Sequence, residues 1–526
     1  MRAALEAIGY GQWILPLLLL LPLGGAAAIW LATPHGADAL DDPDPVRARG
    51  AARPRRIAAW TLTAWMGLGL GLWPAFDASL PGWQFVADAP WLPDFGARFT
   101  VGMDGLSLTL VLLTLVLMPV SVFGAWDEVR TRTKSYYALT CLLASGLVGA
   151  FVATDVLLFY VAWEVMLVPM YLIIGIWGGT RRLEAALKFV LFTIFGSLLM
   201  LVAIIVLWRE SGTQSFAFDL LLDAPPLDAT TARWLFGAFF LAFAVKIPLA
   251  PLHTWLADAH TEAPTGASVL LAGVMLKVGA YGVMRFAVPL FPAAALEPYT
   301  RMVILVLAVV GILYGSLLAL AQRDLKRLVA YSSVSHMGFV VLGIFAQSLQ
   351  SVEGAMLMML AHGLSAAALF VCVGVVKQRT GTRQLDALGG LARVAPLLSA
   401  ALALSALASL GLPGTAGFVS EFLVLFGTWR AAPWLTIAAS GGLVLAAVYV
   451  LWALQRVIFN PLGNPSWSGM PDLSRRELSV LGSLAVLLLW IGVHPAPILR
   501  RLEPAAVHFL VLSARGGPAT APTLTR

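Results

Sequence analysis

The chain has 526 residues, of which 60% are hydrophobic and only 12% are charged. Soluble domains carry about 25% charged residues, so a soluble protein of this composition would have too little polar surface to stay dissolved. The net charge of +6 does not indicate a nucleic-acid-binding protein, because the basic residues lie in short loops between apolar runs and not in a patch with interleaved aromatics.

Fourteen mostly apolar segments follow one another along the chain, each near the ~20 residues that a spanning helix needs. Their continuous, non-alternating apolar pattern excludes a closed β-barrel and predicts an all-α polytopic membrane protein. No clear cleavage site follows the first segment, which is therefore expected to be a spanning helix and not a signal peptide. The segments fall near 12–32, 57–76, 102–125, 136–153, 155–177, 184–208, 232–257, 265–288, 300–321, 328–346, 352–376, 394–428 (broken), 434–458 and 478–499.

Basic residues are unevenly distributed between the two sides of the membrane. Alternate loops, beginning with the first loop, hold 20 of the 34 Lys and Arg residues, the opposite side holds 11, and three lie within segments. The positive-inside rule assigns the richer side to the cytoplasm, which predicts a bacterial inner-membrane protein with both termini on the periplasmic side. The longest hydrophilic connections, about 33–56 and 209–231, are expected to be loops.

Ionisable residues lie inside the apolar segments, although an ionised side chain at mid-bilayer costs ~2.5–3.5 kcal/mol. One such residue can be a packing device, such as a lysine paired with a carboxylate or a histidine bonded to a neighbouring helix. Several in one bundle favour a functional row that faces the interior, whereas Lys188 is nearer a helix end and is expected to extend to the interface. The row comprises Glu164, Lys246, Lys277, His336, His362 and Glu421.

Two of the segments carry helix breakers next to these residues. Pro248 and Pro251 follow Lys246, and Pro413-Gly414 precedes Glu421. Broken helices at membrane depth are tolerated where they are buried in protein or line a cavity, and two breaks at corresponding places predict an inverted repeat.

The predicted organisation is a single membrane domain over 1–526 with two inverted five-helix repeats. Segments one to three occupy 12–125, the first repeat 136–288 (segments four to eight) and the second 300–458 (nine to thirteen). The last segment lies at 478–499, and residues 513–526 are expected to form a flexible tail.

Protons suit this set of residues better than metal cations do. Burial opposes the charge of a lysine by about 4 kcal/mol, and a carboxylate 4 Å away favours it by about 4 kcal/mol at an effective dielectric of about 20. Because the two effects are similar, movement of a carboxylate relative to a lysine could load or release a proton, and histidines are natural relays. A sodium site would more usually need several converging oxygens.

Six motifs surround the buried ionisable residues. They are Asp155-Val-Leu-Leu-Phe-Tyr-Val-Ala-Trp-Glu164, Lys246-Ile-Pro-Leu-Ala-Pro-Leu-His253-Thr-Trp-Leu-Ala-Asp258-Ala-His260, Leu276-Lys277-Val-Gly-Ala-Tyr-Gly282, Ser332-Ser-Val-Ser-His336-Met-Gly-Phe339, Ala361-His362-Gly-Leu-Ser365 and Leu412-Pro-Gly-Thr-Ala-Gly-Phe418-Val-Ser-Glu421. From about residue 100 to 460 the chain thereby resembles the antiporter-like subunits of respiratory complex I, bacterial NADH–quinone oxidoreductase. Glu421 makes it most similar to the subunit M branch, since the sister subunits L and N typically have lysine at this position. One difference from the family is Ala257, where the family often has proline.

The resemblance implies a role for each residue of the row. Glu164 and Lys246 would be a switching pair, Lys277 the central relay and Glu421 the terminal site toward the outlet. His336 and His362 would line the connection between them. The accessory candidates are Lys188, His253, Asp258 and His260.

The resemblance also implies partners. These are the other membrane-arm subunits, including two homologous antiporter-like subunits, together with the lipid bilayer and no nucleic acid. NADH, FMN, iron–sulfur clusters and quinone would act in partner subunits. This chain has no Gly-rich nucleotide loop, and its two cysteines, Cys141 and Cys372, lie in apolar runs, so no cofactor, metal or redox step is expected here.

Three functions remain open. The first is a proton-translocating subunit of NADH:quinone oxidoreductase, and the second is a subunit of a multisubunit cation/proton antiporter driven by ion gradients. The third is a scaffolding subunit with a structural charge row. Glu421 favours the first over the second, while loss of Lys246 would damage assembly under the third and transport under the first.

Overall fold

Helices make up most of the computed structural model, which describes residues 2–33, 39–80 and 82–515. Helix is the expected state of apolar spanning segments, because it satisfies every backbone N–H and C=O internally. The N-terminal helices are α1 (Arg2–Ala7), α2 (Tyr10–Ala32), α3 (Pro45–Ala51), α4 (Arg53–Gly69), α5 (Leu72–Ala75), α6 (Gly105–Gly124), α7 (Thr133–Val152), α8 (Val156–Trp177) and α9 (Arg182–Ser211).

The central part of the chain contains the most deeply buried helices. Their ranges are α10 (Phe218–Leu222), α11 (Ala229–Lys246), α12 (Thr254–Glu262), α13 (Thr265–Leu270), α14 (Leu276–Gly282), α15 (Val288–Leu290), α16 (Pro292–Ala295), α17 (Pro298–Leu320), α18 (Leu325–Ala346) and α19 (Leu349–Thr380). Two π-helical turns, Leu271–Met275 and Val283–Ala287, join α13, α14 and α15 into one helix. This helix is fully buried and α18 and α19 nearly so, so these three form the centre of the bundle.

The C-terminal part packs around that centre. Its helices are α20 (Leu391–Val394), α21 (Pro396–Leu410), α22 (Ala416–Ala431), α23 (Pro433–Leu454), α24 (Arg475–Val493) and α25 (Ala496–Ala514). A π turn, Gln455–Phe459, extends α23.

Each of the fourteen predicted segments corresponds to a helix or to a broken pair of helices. Eleven helices in the described part of the chain are long and apolar enough to span a membrane. The other three segments are the shorter α4 and the two broken pairs, α11/α12 and α21/α22. The prediction of an all-α polytopic membrane protein is therefore confirmed, while its division into two inverted repeats stays a prediction.

Several boundaries differ from the prediction. The second segment, predicted near 57–76, comprises α4 and the short α5, which ends at Ala75, with a turn between them, and the connections 33–56 and 209–231 contain α3 and α10 besides loop. Of the tail predicted at 513–526, Ser513 and Ala514 belong to α25 and residues 516–526 lie outside the described part, so the tail stays a prediction.

Two elements escaped prediction because neither is a long apolar run. An antiparallel hairpin pairs β1 (Gln84–Leu92) with β2 (Ala97–Met103). Helix α25 is amphipathic: Leu502 and Phe509 are buried, but Arg500, Arg501 and Glu503 make it too polar to resemble a spanning segment.

Side-chain caps fix where several spanning helices begin. Asp155, for example, accepts hydrogen bonds from the backbone N–H groups of Leu157 (2.9 Å) and Leu158 (3.0 Å) at the start of α8. Such caps satisfy donors that have no partner within the helix. Equivalent caps are Asp104 on α6, Asp228 on α11, Asp324 on α18 and Ser474 on α24.

The connections collect on two opposite faces. On one, the basic face, Leu40 N–H donates to the Arg130 carbonyl (2.8 Å), and Arg476 pairs with Asp127 (2.5 Å). On the other, the hairpin face, Arg2 pairs with Asp77 at 3.0 Å. These contacts join loops that the alternation of fourteen spans places on the same side.

The orientation of these faces can be tested with single cysteines, because both native cysteines are buried. Ser466 is exposed on the basic face and Ser79 on the hairpin face. In intact cells stripped of the outer membrane, a membrane-impermeant maleimide should label Ser79→Cys and not Ser466→Cys, with the reverse in inverted vesicles. The opposite pattern would place both termini in the cytoplasm.

Candidate functional site

Lys246 lies where the first broken span is interrupted. It is the last residue of α11, and the chain resumes as a helix only at Thr254. The indole N–H of Trp255 donates to the Val245 carbonyl (3.0 Å), which satisfies one acceptor that the helix end exposes. A cation at a helix C-terminus is favoured by the helix dipole, so the break stabilises a charge at Lys246.

The amine of Lys246 is buried without a hydrogen-bond partner. It faces aromatic rings, with the Trp163 ring centroid 5.0 Å away and that of Phe189 5.7 Å away. Glu164 follows Trp163 in α8, is half-buried, and also has a buried oxygen, Oε1, without a partner. The side chains of Glu164 and Lys246 thus lie near each other but are not hydrogen-bonded. The attraction between their charges can therefore change with small movements of either side chain.

An ion-pair network lies on the basic-face side of this break. Asp258, in α12, accepts from Lys188 Nζ at 2.7 Å and lies 3.5 Å from Arg327 Nη1. All three side chains are partly exposed. Lys188, expected to extend to the membrane interface, is instead held by a carboxylate on the broken span.

His253 lies in the break itself. Its ring is buried, packs edge-on against Tyr314 at 5.5 Å, and has no partner for Nδ1. In the chain it therefore places a polar group between Lys246 and Asp258.

Lys277 lies at the centre of the bundle, directly after the π turn of α13–α14. Its amine donates to the Ala272 carbonyl and lies 2.7 Å from Nδ1 of His362. The other ring nitrogen of His362 is 3.0 Å from the Ser333 hydroxyl. Lys277 is fully buried, so these polar contacts, and not solvent, satisfy its amine.

The row continues from His362 to the second break. The rings of His336 and His362 are 5.1 Å apart. His336 Nε2 donates to the Ser409 carbonyl (2.8 Å) and lies 3.9 Å from Oε1 of Glu421. Four of the six predicted residues thus form one continuous line from α14 through α19 and α18 to α22.

The second break makes room for Glu421. Gly411 adopts φ +82° after the end of α21, and a Cβ there would overlap the Glu421 carboxylate. Gly414 has φ +92° and follows Pro413, which completes the turn into α22. The glycines therefore permit both the backbone turn and the close approach of the carboxyl group.

The two groups of residues are joined by backbone packing. Gly279, two residues after Lys277, lies against the break after Lys246: a Cβ would come within 3.0 Å of Ile247 N and 2.9 Å of the Phe243 carbonyl oxygen. Movement at the first break would therefore press on the helix that carries Lys277.

His260, the fourth accessory residue, has no hydrogen-bonded contact with the row. Its ring stacks on Phe370 with centroids 4.7 Å apart, and neither nitrogen has a hydrogen-bond partner. It lies near enough to Lys277 and Lys326 for their charges to act on it.

Sequence reasoning missed several polar groups. Lys326 and Arg285, counted with the loop residues, are both buried, and Lys326 donates to the Ala263 carbonyl (2.5 Å). The serines that bond the histidines carried no distinct signal. A cavity of about 30 Å³, large enough for a water molecule, is lined by Ser332, Ser409 and the unpartnered Tyr449 hydroxyl.

Comparisons with known proteins identify the family of the chain. Residues 153–447 match the family model for the transmembrane NADH:quinone oxidoreductase/Mrp antiporter domain. NADH-quinone oxidoreductase subunit M of Rhodobacter capsulatus is 41% identical over 513 residues, which cover 95% of this chain and 96% of the relative. NADH-ubiquinone oxidoreductase chain 4 of Chondrus crispus is 40% identical over 459 residues, 87% of this chain and 92% of the relative.

Solved structures show the same fold. A chain of respiratory complex I from Thermus thermophilus superposes with a TM-score of 0.85 at 34% identity, covering 96% of this chain and 100% of that one. A chain of the Mrp complex from Dietzia sp. superposes with a TM-score of 0.81 at 19% identity, covering 97% and 100%, which is a likeness of fold alone. With these relatives covering nearly its whole length, the chain belongs to the family of NADH-quinone oxidoreductase subunit M.

Proposed function

We propose that this chain is a proton-translocating subunit of NADH:quinone oxidoreductase. NADH oxidation and quinone reduction in other subunits would drive protons along its buried ionisable row. The observation that carries the proposal is the continuous line from Lys277 through His362 and His336 to Glu421. A structural charge network would be expected to end in fully paired groups, whereas Lys246 has no partner.

The row has the donors and acceptors that stepwise proton transfer needs. The Lys277 amine lies within hydrogen-bond distance of a ring nitrogen of His362, and the second nitrogen reaches a hydroxyl. Between His336 and Glu421 the gap of 3.9 Å is bridged by a small side-chain movement. Each step would thus pass between neighbouring groups in a region that excludes bulk water. The step between His362 and His336, whose ring centroids are 5.1 Å apart, would require one ring to turn, because the two rings are not hydrogen-bonded to each other.

The pair at the first break would control when Lys246 is charged. Two unit charges 4 Å apart at an effective dielectric of about 20 attract by about 4 kcal/mol, which is comparable to the cost of burying the ammonium group. Approach of Glu164 would therefore stabilise the charged amine, and withdrawal would release its proton. The aromatic rings of Trp163 and Phe189 keep water from replacing the carboxylate.

In this proposal protons enter from the basic face and leave beyond Glu421. Asp258 and Lys188 would supply the polar entry, and His253 the step toward Lys246. The basic face would be cytoplasmic, which places the protein in the bacterial inner membrane with both termini in the periplasm.

The chain would contribute transport and no redox step. NADH, FMN, iron–sulfur clusters and quinone would be bound by partner subunits, among them two homologous antiporter-like subunits in the membrane arm. The alternative, a subunit of a cation/proton antiporter, has support from the family description, which includes the Mrp antiporters. Near-full-length identity of about 40% to subunit M favours the respiratory complex.

Replacement of Lys246 by alanine tests the switching pair. NADH-driven proton uptake in inverted vesicles should fall several-fold, because the only buried cation at the first break is lost, while a blot shows normal amounts of the assembled complex. Lys134→Ala is the matched control: this lysine lies on the basic face over the Trp30 ring, 4.5 Å from its centroid and away from the row. Wild-type uptake and quinone reduction in Lys246→Ala would rule out the mechanism, and loss of assembly would support the scaffolding alternative.

Replacement of His362 by asparagine tests the relay. Asparagine places its amide oxygen near the position of Nδ1 and can still accept from Lys277, but it has no group at the position of Nε2 and cannot carry a proton at neutral pH. Proton uptake per NADH oxidised should therefore fall while the complex assembles, and His494→Asn, an exposed histidine, should behave as wild type. An unchanged ratio in His362→Asn would show that protons bypass the histidines.

A further inference from the structure

An apolar groove runs along the outside of the bundle between α4 and α24. Within the described part of the chain, both helices pack on α6 but have little contact with each other. The other neighbours of α6 close the ring around it, since α4 packs against α7 and α24 packs against α19. A strip of α6 is therefore left partly exposed at Leu112, Val116 and Phe123, while most of this helix is buried. These residues are four and seven positions apart, so they follow one side of the helix.

The groove is closed at the hairpin face. There the ring of Trp73, in α5 directly after α4, packs edge-on against Trp490 of α24, with centroids 6.4 Å apart. Trp490 lies 14 positions after Arg476 at the start of α24, which is about 21 Å of helix. A spanning helix of another protein would need the ~30 Å of the hydrocarbon core, whereas one leaflet is about 15 Å deep. The length of the groove therefore suits the acyl chain of a lipid.

The open end of the groove, at the basic face, is lined by two arginines and an indole ring. Arg55, near the start of α4, lies over the Trp126 ring, with its guanidinium carbon 4.2 Å from the centroid. Arg476, at the start of α24, approaches the same ring at 5.8 Å. The Trp126 ring in turn stacks on Phe123, with centroids 5.6 Å apart. Both arginines are thus held where the apolar strip of α6 ends.

This mouth of the groove carries an excess of positive charge. Arg476 pairs with Asp127 at 2.5 Å, and Arg55 lies 3.9 Å from the same carboxylate. Glu128 accepts a hydrogen bond from the backbone N–H of Thr265 at 2.8 Å. Four arginines therefore share the mouth with two carboxylates, which leaves a net charge of +2. The charged residues here are Arg55, Arg56, Asp127, Glu128, Arg475 and Arg476.

Both guanidinium groups retain hydrogen-bond donors for a ligand. Arginine has five N–H donors, and Arg55 uses Nη1 to bond the Trp126 carbonyl at 2.9 Å. The Nε atoms of Arg55 and Arg476 have no hydrogen-bond partner among the described residues. The two side chains are partly exposed, 16% and 29% respectively. Because the arginine fork matches the geometry of phosphate oxygens, the pair suits a phosphate group at the membrane surface.

We propose that the groove between α4 and α24 binds one anionic phospholipid. Its phosphate lies between Arg55 and Arg476, and one acyl chain follows the partly exposed strip of α6. The positive charge of the mouth favours an anionic headgroup over a zwitterionic one, and basic pockets between spanning helices are known to bind such headgroups. The inference does not depend on proton transport by this chain, so it goes beyond the proposed function.

Photo-cross-linking in the purified NADH:quinone oxidoreductase tests the site. The probe is phosphatidylglycerol with a diazirine in one acyl chain, added to the complex in detergent and activated by light. Mass spectrometry of peptides should find the label on α6, at or near Leu112 and Val116. An excess of unlabelled phosphatidylglycerol should remove most of this label, while equal amounts of phosphatidylcholine or inorganic phosphate should leave it.

Removal of the two charges tests how the headgroup is recognised. Arg55→Gln/Arg476→Gln should reduce labelling of α6 several-fold, because the net charge of the mouth falls from +2 to zero. Arg456→Gln is the matched control and should be labelled as wild type. Arg456 also lies on the basic face over an indole ring, 3.9 Å from the Trp452 centroid, but it pairs with Asp386 and lies away from the groove.

The competition in the wild-type complex decides the question even if the double variant fails to assemble. Equal competition by phosphatidylcholine would show an ordinary lipid boundary, and competition by inorganic phosphate would show a phosphate site that needs no lipid. Either result would overturn the proposal. So would the absence of label on α6, which would assign the groove to a neighbouring subunit, or undiminished labelling of an assembled double variant.

Discussion

The polar contacts of one buried amine, that of Lys277, lie at the centre around which the rest of the bundle packs. This amine is fully buried at the centre of the bundle, and its contacts with the Ala272 carbonyl and with His362 replace the water it has lost. Leaving a charge in such a place without polar partners would cost several kcal/mol. The most buried helices, α13 to α15, α18 and α19, are those that surround it.

The two helix breaks solve the same problem in different ways. At the first break, the dipole at the C-terminal end of α11 favours a cation. Lys246 lies at this buried end, among aromatic rings. At the second, Gly411 leaves space for a carboxylate, and the Ser409 carbonyl near the end of α21 accepts a hydrogen bond from His336 Nε2. Irregular backbone at membrane depth thus supplies polar groups where regular helix would offer none.

Charged groups at the two faces differ from those of the row in being paired. Lys188 with Asp258 and Arg285 with Asp104 are close ion pairs, whereas Lys246 has no partner and Glu421 only approaches His336. Paired charges are held in place, while loosely held ones can change protonation at small cost. This contrast separates the ion pairs near the two faces from the unpaired ionisable groups at the two breaks.

The sequence by itself determined the class of protein, the fourteen spans, the two breaks and the six residues of the row. These follow from local chemistry: apolar length, proline and glycine in apolar segments, and the cost of a charge in lipid. Contacts between residues far apart in the chain could not be read from it. Lys188 bonds Asp258, which is 70 positions away in the chain, and Arg285 bonds Asp104, which is 181 positions away.

Only the tertiary structure decided how the row is connected. That Lys277 contacts His362, that His336 approaches Glu421, and that Lys246 and Glu164 remain apart are consequences of helix packing across long separations in the chain. The hairpin and α25 were likewise missed, because their short or amphipathic patterns acquire a definite place only when the bundle offers a surface to cover. Composition specifies which residues must be buried, and packing alone sets the distances between them.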